Sequence, residues 1–493
     1  MRLEHDSLGS LEVPNFAYYG IQTERNRQAF DISDLTLEDF PSFIEAVAKI
    51  KAACARTNLE IGALDKEKAQ AIEQAAWEVI RREFDYSLPV CIYRGSGTPL
   101  NAGVNEVVAH RANEILTGNK EGGGIHPSTH VNMAQSSNDV IPTAKAIVVH
   151  DQLEIIIEPL KGLIKKLREK GEEFSSVIKM GRTGLQDAVP ITLGQQLNAF
   201  ASGMERSLSR LEYEKSHWNY SCLGGTAVGT GMGCLPGFRG KVNKHLSDVL
   251  GYEVKAYDDL VDGMMAIDDL IACHGQVVAL SAQVWKLARD LRVMASGPNS
   301  GLREVYFEVK NPENALNPQR FASCSLESVI TACNQVSANN SSILFGLKNG
   351  WLDLGACSSI PLRAMINSAT MLKEAMRILT EEVLPSMRVN SQLCQDMAES
   401  SVSNTTMIST IFGYEVGSQV AHLALEENIS PREAAKKLKI LPDEVIDELF
   451  DVSNLTHPEN MEALFEKYKD FRKLFSFEET GGRKTHPFCM MEN

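Results

Sequence analysis

Residues Thr143 to Leu167 read TAKAIVVHDQLEIIIEPLKGLIKKL. Ala146, Val149, Leu153, Ile156, Leu160, Leu163 and Leu167 recur there every three or four residues, which puts them on one stripe of a long α-helix. Leu362, Met365, Ala369, Leu372, Met376, Leu379 and Val383 repeat the pattern further on. Segments near 187–216, 266–296 and 325–348 read as further helices, in places with few charges on any face. Helices that apolar need cover on several sides, so the expected architecture is a mainly α fold with a helical bundle buried inside an oligomer. Strand signals are sparse and short. With no strand–helix alternation and no G-x-G-x-x-G, a dinucleotide-binding sheet is not expected.

A chain of 493 residues implies two to four domains. Beyond Asp396 the character changes: ISPREAAKKLKILPDEVIDELF (429–450) opens on Ser430-Pro431 and carries short, highly charged helical segments. The expected division is 1–138, 139–395 and a small helical domain at 396–493. A net charge of −15 repels phosphate backbones and anionic lipid, so neither nucleic acid nor membrane is expected as a partner. The opening MRLEHDSLGSLEVPNF has no apolar run of signal-peptide type, and no stretch is long enough to span a bilayer. The ten cysteines show no CxxC and no metal-type spacing with histidine, as expected of reduced thiols in a cytoplasmic protein. No cofactor or metal site is read.

Three polar stretches interrupt the helices: YRGSGTPLNAGVNEV (93–107), HPSTHVNMAQSSNDVIPTA (126–144) and KMGRTGLQDAVPITLGQ (179–195). Each sets small hydroxyl or amide residues just before a long helix, where exposed backbone N–H groups and the helix dipole favour an anion. Helix capping explains any one of them. Three together, richer in polar residues than caps require, point to a small-molecule site.

These stretches resemble the conserved regions of the aspartase/fumarase superfamily. The likeness begins at VPNFAYYGIQTER, passes through HVNMAQSSND, KMGRTGLQDAVPITLGQ, LGGTAVGTG and SGPNSGL, and ends in FGYEVGSQVAHLAL. Overall the chain is most similar to the aspartate ammonia-lyase branch. The resemblance implies a three-domain helical subunit and a homotetramer with a twenty-helix core. It also implies active sites assembled from three subunits, and an anti elimination through a stabilised carbanion. Ser136, Ser137 and Asn138 match residues that hydrogen-bond the carbanion's charge and the leaving amine. Such preorganised donors contribute roughly 3 kcal/mol each. Thr98, Asn101 and Thr183 match neighbouring pocket residues, and His126 and His130 match a His-Pro-x-x-His segment whose histidines are either structural or ligand-facing.

The chain departs from the family at three places. The family's mobile loop reads G-S-S-x-M-P-x-K-x-N, with the second serine as base and the lysine and asparagine holding the α-carboxylate. Counting back from Asn334, these three fall on Gln319, Cys324 and Leu326, and no lysine lies between Lys310 and Lys348. An amide cannot act as base, nor leucine hold a carboxylate. Ser323, Cys324 and Ser325 remain as base candidates, or as small residues opening the next helix. In the first stretch Pro99 and Leu100 stand where the family has Ser-Thr for the β-carboxylate, which suits a less charged β-substituent. Arg94 replaces a glutamine and is either a substitute carboxylate clamp or a structural ion pair.

Three readings follow. The first is a carbon–nitrogen lyase whose missing groups are those unneeded by ergothionase, which splits ergothioneine into thiourocanate and trimethylamine. The second is an aspartate ammonia-lyase with unfamiliar groups. The third is a catalytically inactive paralogue with a structural or regulatory role. None needs a cofactor.

Overall fold

The structure is a computed structural model, described here for residues 1–29, 32–84, 88–93, 97–308, 322–355 and 359–474. The stripe at 143–167 lies in α5 (Ser137–Glu173), preceded by α1 (Ile21–Ala29), α2 (Pro41–Glu60), α3 (Lys66–Ile80) and α4 (Thr98–Thr117). Its members Val149, Leu153, Ile156, Leu160, Leu163 and Leu167 are 0% exposed. The other expected helices are α6 (Leu193–His217), α9 (Asp268–Met294), α10 (Ala322–Leu347) and α11 (Ile360–Arg377), with the short α7 (Phe238–Leu250) and α8 (Leu260–Met265) before α9. The second stripe, Leu362 to Val383, is buried throughout along α11 and the helical turn that continues it. The mainly α expectation holds.

The strands form two-stranded ladders only, among the described residues. β1 (Arg2–Asp6) and β2 (Gly9–Val13) make a hairpin, as do β3 (Ile178–Thr183) and β4 (Gln186–Thr192). The β3–β4 hairpin corrects one sequence expectation. Residues 187–192, read as the start of a helix, are strand, because Pro190 cannot donate to a helical ladder and Val189, Ile191 and Thr192 favour an extended backbone. The helix begins at Leu193, where Thr192 Oγ1 accepts from Gln195 N at 3.0 Å.

The chain divides into two compact units. The first holds 1–161, 206–285 and 331–376, and the second holds 162–205, 286–330 and 377–493. In the first, α2 packs on α3 and α7. Glu154 of α5 pairs with Lys215 of α6, and Gln283 of α9 donates to Ser207 of α6 at 2.9 Å. His274 of α9 meets Asn340 of α10 and Ser368 of α11, each at 2.9 Å.

In the second unit Arg182 of β3 reaches the fully buried Glu304 at 2.9 Å. Short helices after residue 405 surround an apolar cluster from Met407 to Tyr468. Ser430 caps Pro431–Lys437 as its sequence implied, its side chain accepting from Glu433 N while the Glu433 carboxylate takes the Ser430 backbone N–H. No helix among the described residues is long and apolar enough to cross a membrane.

Candidate active site

The second polar stretch folds into a tight turn that launches α5. Ser136 is its cap: its Oγ accepts from Asn138 N at 3.2 Å, and its own backbone N–H bonds Asp139 Oδ1 at 2.9 Å. Asp139 is completely buried, and its other oxygen receives the N–H groups of Gly224 (3.2 Å) and Thr226 (3.0 Å). The glycine-rich LGGTAVGTG segment is thereby tied to the head of the helix. Gly229 in that segment has φ +92°, and a Cβ there would stand 2.5 Å from Val261 N, so only glycine lets this backbone approach. Asn138 Nδ2 donates to Ala227 O at 2.9 Å, which fixes that amide as well. Burial pushes the Asp139 carboxyl up to about 7, against the opposing pull of the three N–H donors and of Lys51.

α4 delivers the first stretch beside this turn. Asn101, 1% exposed, donates from Nδ2 to Ser137 Oγ at 2.9 Å and to Asn132 Oδ1 at 3.1 Å. Asn132 Oδ1 also receives Asn105 Nδ2 at 3.3 Å and Lys51 Nζ at 2.9 Å. Ser136, Ser137 and Asn138 keep partial access to solvent, and Thr98 is exposed on the first turn of α4. Leu100, one residue before Asn101, is a core residue of the unit, 2% exposed.

The remaining sequence candidates are carried by other elements. Thr183 ends β3 and is exposed, in the second unit. Cys324 is exposed in the first turn of α10, Leu326 is fully buried, and Ser323 lies in the same helix. Arg94 and Gln319 fall outside the described residues, as does the side chain of Ser323. The two histidines of the His-Pro-x-x-His segment serve their own turn. His126 Nδ1 accepts from Ser128 N and Thr129 N, and His130 Nδ1 accepts from His126 N at 2.9 Å. Accepting at Nδ1 leaves each with its proton on Nε2.

Lys51 and Asp139, which surround the turn, were not singled out from the sequence. The signal for Lys51 was present: it occupies the i+4 position between Val47 and Ala55 on the apolar face of α2. A lysine at core spacing marks a buried charge that must have partners.

A cavity of about 490 Å³ opens elsewhere in the first unit. Glu214, Asp258, Asp259, Asp262 and Asp269 face it against the single Lys145, a field that repels a carboxylate. The neutral hydroxyl and amide donors at the head of α5 are better suited to an anionic substrate.

Residues 9–337 match the lyase family profile, and 405–457 match that of the fumarase C C-terminus. The chain belongs to the aspartase/fumarase superfamily. It is 34% identical to an aspartate ammonia-lyase of Bacillus sp over 93% of its own length and 98% of the other's. It is 33% identical to fumarate hydratase class II 2 of Bradyrhizobium diazoefficiens over 93% and 97%. Among solved structures, a fumarate lyase:delta crystallin protein from Brucella melitensis superposes with a TM-score of 0.88 at 32% identity, covering 94% of this chain and 99% of that one. The head of α5 carries the QSSND stretch by which the chain resembles this superfamily. There Ser137 Oγ accepts one hydrogen bond among the described residues, from Asn101 Nδ2, and donates to none of them.

Proposed function

We propose that this protein is a carbon–nitrogen lyase that eliminates an amine from an amino-acid-derived betaine, with ergothioneine as substrate. The observation that carries the reading is the pattern of 311–326, where Gln319, Cys324 and Leu326 stand at the positions of the family's serine base and its carboxylate-holding lysine and asparagine. A chain that keeps QSSND while losing those groups has kept charge stabilisation and given up one carboxylate clamp.

In ergothioneine the carbon bearing trimethylammonium also carries the carboxylate, and the neighbouring carbon carries the thioimidazole ring. A base removes the proton beside the ring, and the resulting charge spreads into the ring. The electron pair then forms the carbon–carbon double bond as the carbon–nitrogen bond breaks. Trimethylamine leaves as a neutral molecule, because the quaternary nitrogen takes away the bonding pair and needs no proton. Ser137, as donor, stabilises the developing negative charge, and Asn138 borders the leaving group. The reading includes a homotetramer with sites shared among three subunits, which the mass in solution tests.

Aspartate ammonia-lyase is the second reading, supported by the identity to enzymes of that name. Absorbance separates the two. With ergothioneine, conjugation of the ring to a propenoate produces a new near-ultraviolet band together with trimethylamine. With aspartate in a parallel cuvette the product is fumarate. Activity on aspartate alone sinks the ergothioneine reading, and silence with both favours the inactive paralogue.

A further inference from the structure

Lys51 lies on α2, 0% exposed, and takes no part in the reaction as written above. Its ammonium bonds Asn132 Oδ1 at 2.9 Å and Gln135 Oε1 at 2.8 Å. An ammonium has donors only, so both amides must turn their oxygens toward it. Gln135 Nε2 is then left to bond the carbonyls of Val131 (3.0 Å) and Met133 (3.1 Å), and Asn132 Nδ2 to bond Gln135 O (3.2 Å). The orientation of Asn132 in turn dictates that of Asn101, 3.1 Å away, because two amide oxygens cannot face each other at that distance. Asn101 therefore presents Nδ2, and its second hydrogen falls on Ser137 Oγ.

The arrangement has a cost that shows it is imposed. Asn101 Oδ1 and Asn105 Oδ1 are buried with no hydrogen-bond partner among the described residues. Buried orphan acceptors are unfavourable, and a flip of Asn101 would let the Ser137 hydroxyl satisfy one of them. The flip is forbidden while Asn132 holds its oxygen toward Lys51. As built, Ser137 accepts from Asn101, and its proton can go only to another acceptor. An oxygen that already accepts from an amide is a stronger donor and a weaker base.

We propose that Lys51 is a positioning residue: through Asn132 and Asn101 it fixes the Ser137 hydroxyl as a hydrogen-bond donor to the substrate. The inference rests on the head of α5 being the lyase site. Cys54 on the same helix and Asp139 at the start of α5 are the titratable groups that act on Lys51, and burial lowers its ammonium to about 8. The amine loses its charge above that pH. Its lone pair can then accept from an amide, and the orientation is no longer enforced.

The test is a double-mutant cycle of Lys51→Met and Ser137→Ala with Lys51→Arg as the conservative variant, after confirming that each folds. Lys51→Met lowers kcat by about a hundredfold, the scale of one lost oriented donor, with KM changed less than about threefold. The double variant is no slower than Ser137→Ala alone, because both changes act on the same donated proton. Lys51→Arg stays within about tenfold of wild type, and its basic limb moves above that of wild type. Multiplicative losses in the double variant, or full kcat in Lys51→Met, overturn the proposal. A wild type that turns over neither ergothioneine nor aspartate overturns the functional reading instead. In that case a neutron structure of Lys51→Met decides the inference: Asn101 and Asn132 flipped supports it, and both unflipped overturns it.

Discussion

Two buried polar clusters of the first unit make an instructive pair. One lies between α9, α10 and α11. There Asn339 Nδ2 donates to Ser368 Oγ (3.0 Å), Ser368 donates to His274 Nε2 (2.9 Å), and His274 Nδ1–H donates to Asn340 Oδ1 (2.9 Å). Each of these links pairs one donor with one acceptor, and the orphan acceptors of this unit lie elsewhere. The other cluster, around Asn132, also bridges distant segments but does not close. Among the described residues it leaves Asn101 Oδ1 and Asn105 Oδ1 without partners and one hydroxyl proton, on Ser137, to spare. A closed network holds helices in register. An open one stores hydrogen-bonding capacity that a substrate can complete, at some expense in stability.

Ser137→Ala breaks the contrast most sharply. It removes the spare donor and takes from the buried Asn101 Nδ2 one of its acceptors, so kcat/KM falls 10²–10³-fold, about 3–4 kcal/mol, while stability falls by only about 1–2 kcal/mol. A loss of stability with little loss of rate would move Ser137 into the structural class. Asp139→Asn comes next, because an amide cannot accept as a carboxylate does from the N–H groups of Ser136, Gly224 and Thr226. Denaturant unfolding is expected to show a loss of about 3 kcal/mol, with activity falling alongside as the turn loosens.

In the closed cluster, His274→Leu orphans Ser368 and Asn340 and costs about 2 kcal/mol with turnover unchanged. It also changes the pH response. Burial lowers the His274 imidazole below its ordinary value, so below about pH 6.5 the unfolded chain takes up a proton that the folded chain refuses. The wild type therefore has its full stability above pH 6.5 and loses it on acidification. The leucine variant lacks that increment of slope, as melts at pH 5, 6 and 7 would reveal. Asn105→Ala is the mildest change. It deletes a long 3.3 Å bond together with an orphan oxygen, so stability moves by less than about 1 kcal/mol, against the larger loss at His274.

Much of this was legible in the residues. The stripe from Ala146 to Leu167 needs only helical period, and the Ser430 cap needs only a serine three residues before a glutamate. The polar turn at 136–138 was marked by its composition and by the family pattern. The β3–β4 hairpin was not, because 187–192 precedes a helix so closely that its alternation was read as helical period. Lys51 was missed for a different reason: its meaning depends on partners 81 and 84 residues away.

The sequence by itself therefore determined the helices, their buried faces and the superfamily, since these follow from local spacing and contiguous motifs. Only the tertiary structure decided which way Asn132, Gln135 and Asn101 turn their amides, and hence that Ser137 accepts from Asn101 and keeps its own proton for another acceptor. An amide is symmetric in shape and opposite in chemistry at its two ends, so its orientation is set by neighbours brought together in the fold.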